Sequence, residues 1–178
     1  MPSKSRFDSL ADAAERYGRF SLENYAMIRG IAENIAPGFC RYLGRKKGVC
    51  CYLVPPEGPW APQPYRSGAF SVSGGGFLPL EPISFGLAVR VSNTSDWVRL
   101  VLRCAKSGDE LDVSIRDGRS FSLPLPVSDT HLHELFDHLH KHLVDWFDDH
   151  ADRYEHGEYS SQDIGFDFLH DVSDGAED

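Results

Sequence analysis

The sequence predicts a single α+β domain. It expects a mainly antiparallel sheet of about four to six strands, with N-terminal helices and a long C-terminal helix packed on one face. Three observations predict it. Apolar residues recur at three- and four-residue spacing near both ends of the chain, and they alternate with polar or small residues through its middle. A length of 178 residues, 41% of them hydrophobic and 25% charged, suits one core.

The first helical pattern runs from Phe7 to Gly18, with Phe7, Leu10, Ala11, Ala14 and Tyr17 on one side and Asp8 near its start. Ser21 reads as the N-cap of a second helix, whose Tyr25, Ile28, Ile31 and Ile35 share a face before Pro37 and Gly38 interrupt it. The run Val49 to Val54 suits a buried strand, and six prolines and glycines between Pro55 and Pro64 then enforce an extended loop around Trp60. Phe85, Leu87, Val89 and Val91 alternate as one strand, and Val98, Leu100, Leu102 and Cys104 as its partner. A loop of Asn93 to Asp96 pairs Val91 with Val98 and Val89 with Leu100, which puts both apolar sets on one face.

Leu111, Val113 and Ile115 form a third strand, and Phe121, Leu123 and Leu125 a fourth. A two-residue Asp117-Gly118 turn sends the fourth strand's apolar set to the wrong face. A three-residue loop, Arg116 to Gly118 with a left-handed Gly118, pairs Ile115 with Arg119 and Val113 with Phe121 and keeps the faces together. Pro124 and Pro126 end the strand or place it at an edge. Ser128 or Asp129 then caps a helix reaching about Tyr154, with Leu132, Leu135, Phe136, Leu139, Leu143, Trp146 and Phe147 as its core stripe. The domain is expected to span residues 1–157. Residues 158–178 read as an acidic, partly disordered tail with one docking patch of Ile164, Phe166, Phe168 and Leu169.

Charge is polarised along the chain. Residues 1–127 hold 16 basic and 12 acidic side chains, whereas residues 128–178 hold two basic and 15 acidic, so the whole net charge of −9 arises at the C-terminal end. Such an end repels nucleic acid and anionic membrane and favours a cation or a protein partner with a basic surface. No apolar run approaches the roughly 18 to 20 residues of a membrane span, and Met1 to Arg6, followed by Asp8 and a polar helical pattern, is not expected to begin a secretory leader. On that expectation, Cys40, Cys50, Cys51 and Cys104 are expected to be reduced, buried thiols in a cytoplasmic protein, adjacent Cys50 and Cys51 offering a vicinal redox pair as the alternative. No C-x-x-C pair points to a zinc ribbon or a thioredoxin-like site.

All eight histidines lie between residues 131 and 170, five of them between His131 and His142. On a helix Glu134, His138, His142, Asp145 and Asp149 share a stripe, and His138 with His142 at four-residue spacing can chelate a divalent ion such as Zn, Mn or Fe, with Glu134 as a further ligand. The same residues make an ordinary solvated face when no other element supplies ligands. His133-Glu134 lacks the second histidine of the zincin pattern. The Ser73-Gly76 turn is followed by Pro79 and Pro82 instead of a helix start, so it reads as a connection and not as a phosphate loop. No nucleophile elbow is present.

The second face of the sheet carries Arg90, Trp97, Arg99, Arg103 and Arg116, and the expected register sets Arg90 opposite Arg99. Opposed like charges attract an anion, so this face is a candidate binding surface, for the chain's own acidic tail or for an acidic segment of a partner. The layout resembles that of bacterial secretion chaperones, immunity proteins and adaptors, which act by binding. The expectation is therefore a non-enzymatic protein-interaction module with no required cofactor. The alternatives are a metal-dependent enzyme or metal-binding protein using helix 131–142, and a small-anion binder using the arginine face.

Overall fold

The structure, a computed structural model, describes residues 2–72, 78–159 and 166–171. The glycine turn at 73–76 lies outside them, as do Ile164 and the acidic positions Asp163, Asp174, Glu177 and Asp178. Two helices, α1 (Arg6–Leu43) and α2 (Asp129–Glu155), flank an antiparallel sheet of β1 (Cys51–Val54), β2 (Ile83–Arg90), β3 (Asp96–Ser107), β4 (Glu110–Ile115), β5 (Ser120–Pro124) and β6 (Phe166–His170). The strands lie in the order β1-β2-β3-β4-β5, and β6 pairs with β3. No helix among the described residues is long and apolar enough to cross a membrane.

The two expected N-terminal helices are one helix of 38 residues. Its cap is Ser5, whose hydroxyl accepts from the Asp8 amide at 3.0 Å while the Asp8 carboxylate accepts from the Ser5 amide at 3.0 Å. Ser21 is no cap. Its buried hydroxyl donates to the carbonyls of Tyr17 and Gly18, at 3.1 and 3.0 Å, so it is satisfied inside the helix. Pro37 is exposed, where water replaces the missing hydrogen bond. Gly38 is there for packing, since a Cβ would stand 2.8 Å from the Phe136 ring of α2.

The first hairpin keeps the expected faces but shifts by two residues, pairing Val89 with Val98 and Leu87 with Leu100. The turn decides it. The Ser92 hydroxyl donates to the Asp96 carboxylate at 2.7 Å and accepts from the Asp96 amide at 2.9 Å, and Ser95 takes a left-handed φ of 66°. Arg99 therefore stands opposite Ala88, and Arg90 opposite Trp97, so the expected arginine pair does not form. The second hairpin has the expected register, with Val113 opposite Phe121 and the Ile115 amide donating to the Arg119 carbonyl at 3.2 Å. Asp117, not Gly118, is the left-handed residue, at φ 58°. Gly118 is needed for closeness, because a Cβ there would lie 3.0 Å from the His142 ring.

The main core lies between one sheet face and the helices, joining Ile28, Ala32, Ile35 and Phe39 of α1 to Leu132, Leu135, Phe136, Leu139 and Leu143 of α2. The other face is not bare. Val54, Ala88 and Trp97 form a second apolar cluster, covered by Tyr52, Trp60, Tyr65 and Leu169. The cysteine expectation also changes, for Cys40 and Cys50 are joined by a disulfide, while Cys51 and Cys104 are buried thiols. Gly44, left-handed at φ 73°, ends α1 and turns the chain back so that Cys50 reaches Cys40.

Candidate functional site

The 12-residue β3 has two edges to satisfy. β2 covers one along residues 97–104, but β4 pairs only with Leu102–Ser107 of the other. The Arg116 amide takes the Val101 carbonyl at 2.9 Å as the chain turns away, and residues Asp96–Leu100 would be left as an open edge. β6 fills it, antiparallel, with Asp96 opposite His170, Trp97 opposite Leu169, Val98 opposite Phe168 and Arg99 opposite Asp167.

Side chains on the two faces of β6 meet different surroundings. Phe168 points to the α2 side, its ring 5.8 Å from that of Trp146 and 6.0 Å from that of Phe147. On the opposite face Leu169 covers Trp97, and Asp167 meets Arg99. Arg99 is buried although charged, at 6% exposure, because each of its three guanidinium nitrogens has an acceptor. Its Nε donates to the Asp167 carboxylate at 2.9 Å and Nη2 to the same oxygen, while Nη1 donates to the carbonyls of Pro55 and Gly58 at 3.0 and 2.9 Å. Trp60 lies under the cation, 5.6 Å from ring centre to Cζ. At the strand's end His170 Nδ1 is 2.8 Å from the Asp96 carboxylate, and the Asp171 amide donates to the Ser95 carbonyl at 2.9 Å.

Of the five binding candidates, the structure brings Trp97 and Arg99 together here and places the other three elsewhere. Arg90 closes the first hairpin by donating to the carbonyls of Ser92 and Asn93 at 3.0 and 3.2 Å. Arg103 is exposed, opposite Ser84 and Ser114. Arg116, on the turn after β4, lies 3.6 Å from Glu57. Of the expected core stripe, Trp146 is partly buried against the main core but Phe147 is exposed outside it, and both rings meet Phe168 of β6. The signal for β6 was the alternation of Phe166, Phe168 and His170 with Asp167 and Leu169, a two-residue period in a short acidic segment.

The histidine pair occupies a separate groove of about 540 Å³ between α2 and the turn after β4, lined by Asp117, Gly118, Arg119, His138, Lys141, His142, Asp145, Trp146 and Asp149. Glu134 is exposed and does not line it. Among the described residues no three donor atoms of His, Cys, Asp or Glu side chains gather there as closely as three sulfurs do at the end of α1. His138 stacks on Phe121 at 5.2 Å, and its buried Nε2 has no hydrogen-bond partner among the described residues.

Burial holds both histidines below their ordinary value of 6.5, aided by Arg119 beside His138 and by His138 beside His142, while Asp145 opposes the shift at His142. The unfolded chain then binds protons more readily than the folded one. Stability present above about pH 6.5 is lost as pH falls through the lower folded values. A His138→Gln, His142→Gln double variant is expected to show a smaller loss of melting temperature than the parent between about pH 7.5 and pH 5.5. Equal slopes would show that the pair does not set the acid limb.

No protein-family model, no curated protein and no solved structure matches this chain.

Proposed function

We propose that this protein is a protein-interaction module whose binding site is the outer edge of β3, residues Asp96–Leu100. In this state the chain's own β6 occupies it. The observation that carries the reading is the Asp167 carboxylate seated on the buried Arg99 while its backbone runs in register along that edge. A strand edge supplies hydrogen bonds to any extended peptide, and the side-chain positions supply the choice. Here they select an acidic residue for Arg99, an aromatic residue two rings can meet at Trp146 and Phe147, and an aliphatic residue over Trp97. The anion that suits the arginine is thus a carboxylate on a peptide and not a free small ion. The acidic outer surface of α2 favours a partner that is otherwise basic.

Phe168 remains 48% exposed and Asp167 56% exposed, so the segment is held lightly enough to exchange. Truncation after Gly157 is expected to expose the β3 edge, seen as faster hydrogen exchange at Trp97 and Arg99. It should also create binding of a peptide spanning residues 164–172, with a Kd on the order of 10–100 μM. Aspartate-to-asparagine substitution in the peptide, or about 0.5 M salt, should weaken that binding. If truncation leaves exchange unchanged and no peptide binds, the β3 edge is not a binding site.

A further inference from the structure

Three of the chain's four cysteines meet at one place. Cys40 lies near the end of α1, Cys50 immediately precedes β1 and Cys51 begins it, and their three sulfurs are all within 4.8 Å of one another. Cys40 and Cys50 form the disulfide, with the Cys50 amide donating to Cys40 Sγ at 3.1 Å. A bridge alone needs two sulfurs. The plain account of the third is that Cys51 is a small apolar residue of the core.

The spacing says more than that. Sulfurs bound to one ion at about 2.3 Å must stand roughly 3.8 to 4.0 Å apart. The three lie within 4.8 Å of one another, so once the Cys40–Cys50 bond opens a small adjustment brings them to that spacing. We propose that reduction of the Cys40–Cys50 bridge turns the group into a three-sulfur site for a soft monovalent cation, Cu(I). A sulfur-only donor set selects soft ions. Among the described residues no His, Asp or Glu joins the three sulfurs, so the fourth ligand of a structural zinc site is missing, as is the fourth cysteine of an iron–sulfur cluster. Cu(I) accepts three thiolates. Cys50 and Cys51 are 1% and 3% exposed, which shields such an ion from water and oxidants. The short loop between Cys40 and Cys50 carries Arg45, Lys46 and Lys47, positive charge that offsets the surplus of three thiolates over one monovalent ion, and Arg45 Nη1 is buried with no hydrogen-bond partner among the described residues.

The chemistry balances in two steps. A dithiol reductant gives two electrons and two protons to the bridge, the sulfur–sulfur bond breaks into two thiols, and the dithiol becomes a disulfide. Copper then enters as Cu(I) and stays so, each Cu–S bond replacing one S–H and releasing a proton.

The test uses the full chain, reduced without oxygen, freed of reductant and titrated with Cu(I) against a chromogenic Cu(I) chelator. One ion per chain is expected, and Cys51→Ala and Cys40→Ala should each lower the affinity on the order of a hundredfold. Cys104→Ala, at the remaining thiol, and His138→Gln with His142→Gln should leave it unchanged. Cys51→Ala keeps the Cys40–Cys50 pair, so its far-UV spectrum and oxidised melting curve report whether it folds. Equal copper binding by parent and Cys51→Ala would overturn the proposal, as would loss of the folded spectrum on reduction or Zn(II) binding as tight as Cu(I). Because no step involves β6, failure here leaves the peptide-edge reading standing.

Discussion

Leu139→Asp is expected to unfold the chain at ordinary temperature. Leu139 lies at the middle of the α2 stripe with no exposure, packed into the main core between helix and sheet. The substitution removes the buried side chain, about 2 to 3 kcal/mol, and leaves a carboxyl group with no partner in an apolar setting, which adds several kcal/mol more. Against the usual 5 to 15 kcal/mol of a domain, a loss of about 5 kcal/mol or more removes most of the folded population. Leu139→Ala, a cavity without a charge, should cost about 2 to 5 kcal/mol. Val144→Asp, on the same helix but 41% exposed, should cost about 1 kcal/mol or less. Urea denaturation of the three variants gives the ranking. A Leu139→Asp variant that melts with the parent would mean that α2 does not pack on the sheet.

Arg99→Met carries the second largest expected effect, a loss of about 2 to 4 kcal/mol together with release of β6. Methionine matches the aliphatic stem but removes every donor. The carbonyls of Pro55 and Gly58 are then left without their bonds, and the loop that carries Trp60 loses its tie to the sheet. Asp167→Asn removes a charge at a position 56% exposed, where water compensates, and should cost about 1 kcal/mol or less. The contrast is the test. Equal melting of the two variants would make the ion pair an exposed contact and not a tie between loop, sheet and tail strand. Amide exchange at Trp97 and Arg99 follows the strand directly, and Arg99→Met should speed it more than Asp167→Asn does.

How far the sequence is legible depends on the range of the interaction that decides each element. The second hairpin was readable because alternation has a period of two and an odd or even loop sends Phe121 to one face or the other. The stripe of α2 was readable because five of its apolar side chains, Leu132 to Leu143, repeat on one helical face. The first hairpin was half legible. Parity gave the faces, but a shift of two residues preserves parity, and the hydrogen bonds of Ser92 with Asp96 choose between the two registers.

The missed features turn on partners distant in the chain. Ser21, Pro37 and Gly38 read locally as helix boundaries. Only the tertiary structure shows Gly38 admitting the Phe136 ring and Pro37 facing solvent. The candidate binding residues were chosen by charge and face, which could not separate Trp97 and Arg99, the two beside β6, from Arg90, Arg103 and Arg116. That separation depends on which edge of β3 lacks β4 and on what approaches over the Pro-rich loop. By itself, then, the sequence determined the α+β class, the common apolar face and the polarised charge, because periodicity and composition act over a few residues. The tertiary structure alone decided the β6 edge, the surroundings of Arg99 and the meeting of Cys40, Cys50 and Cys51, because each joins segments whose proximity no local pattern encodes.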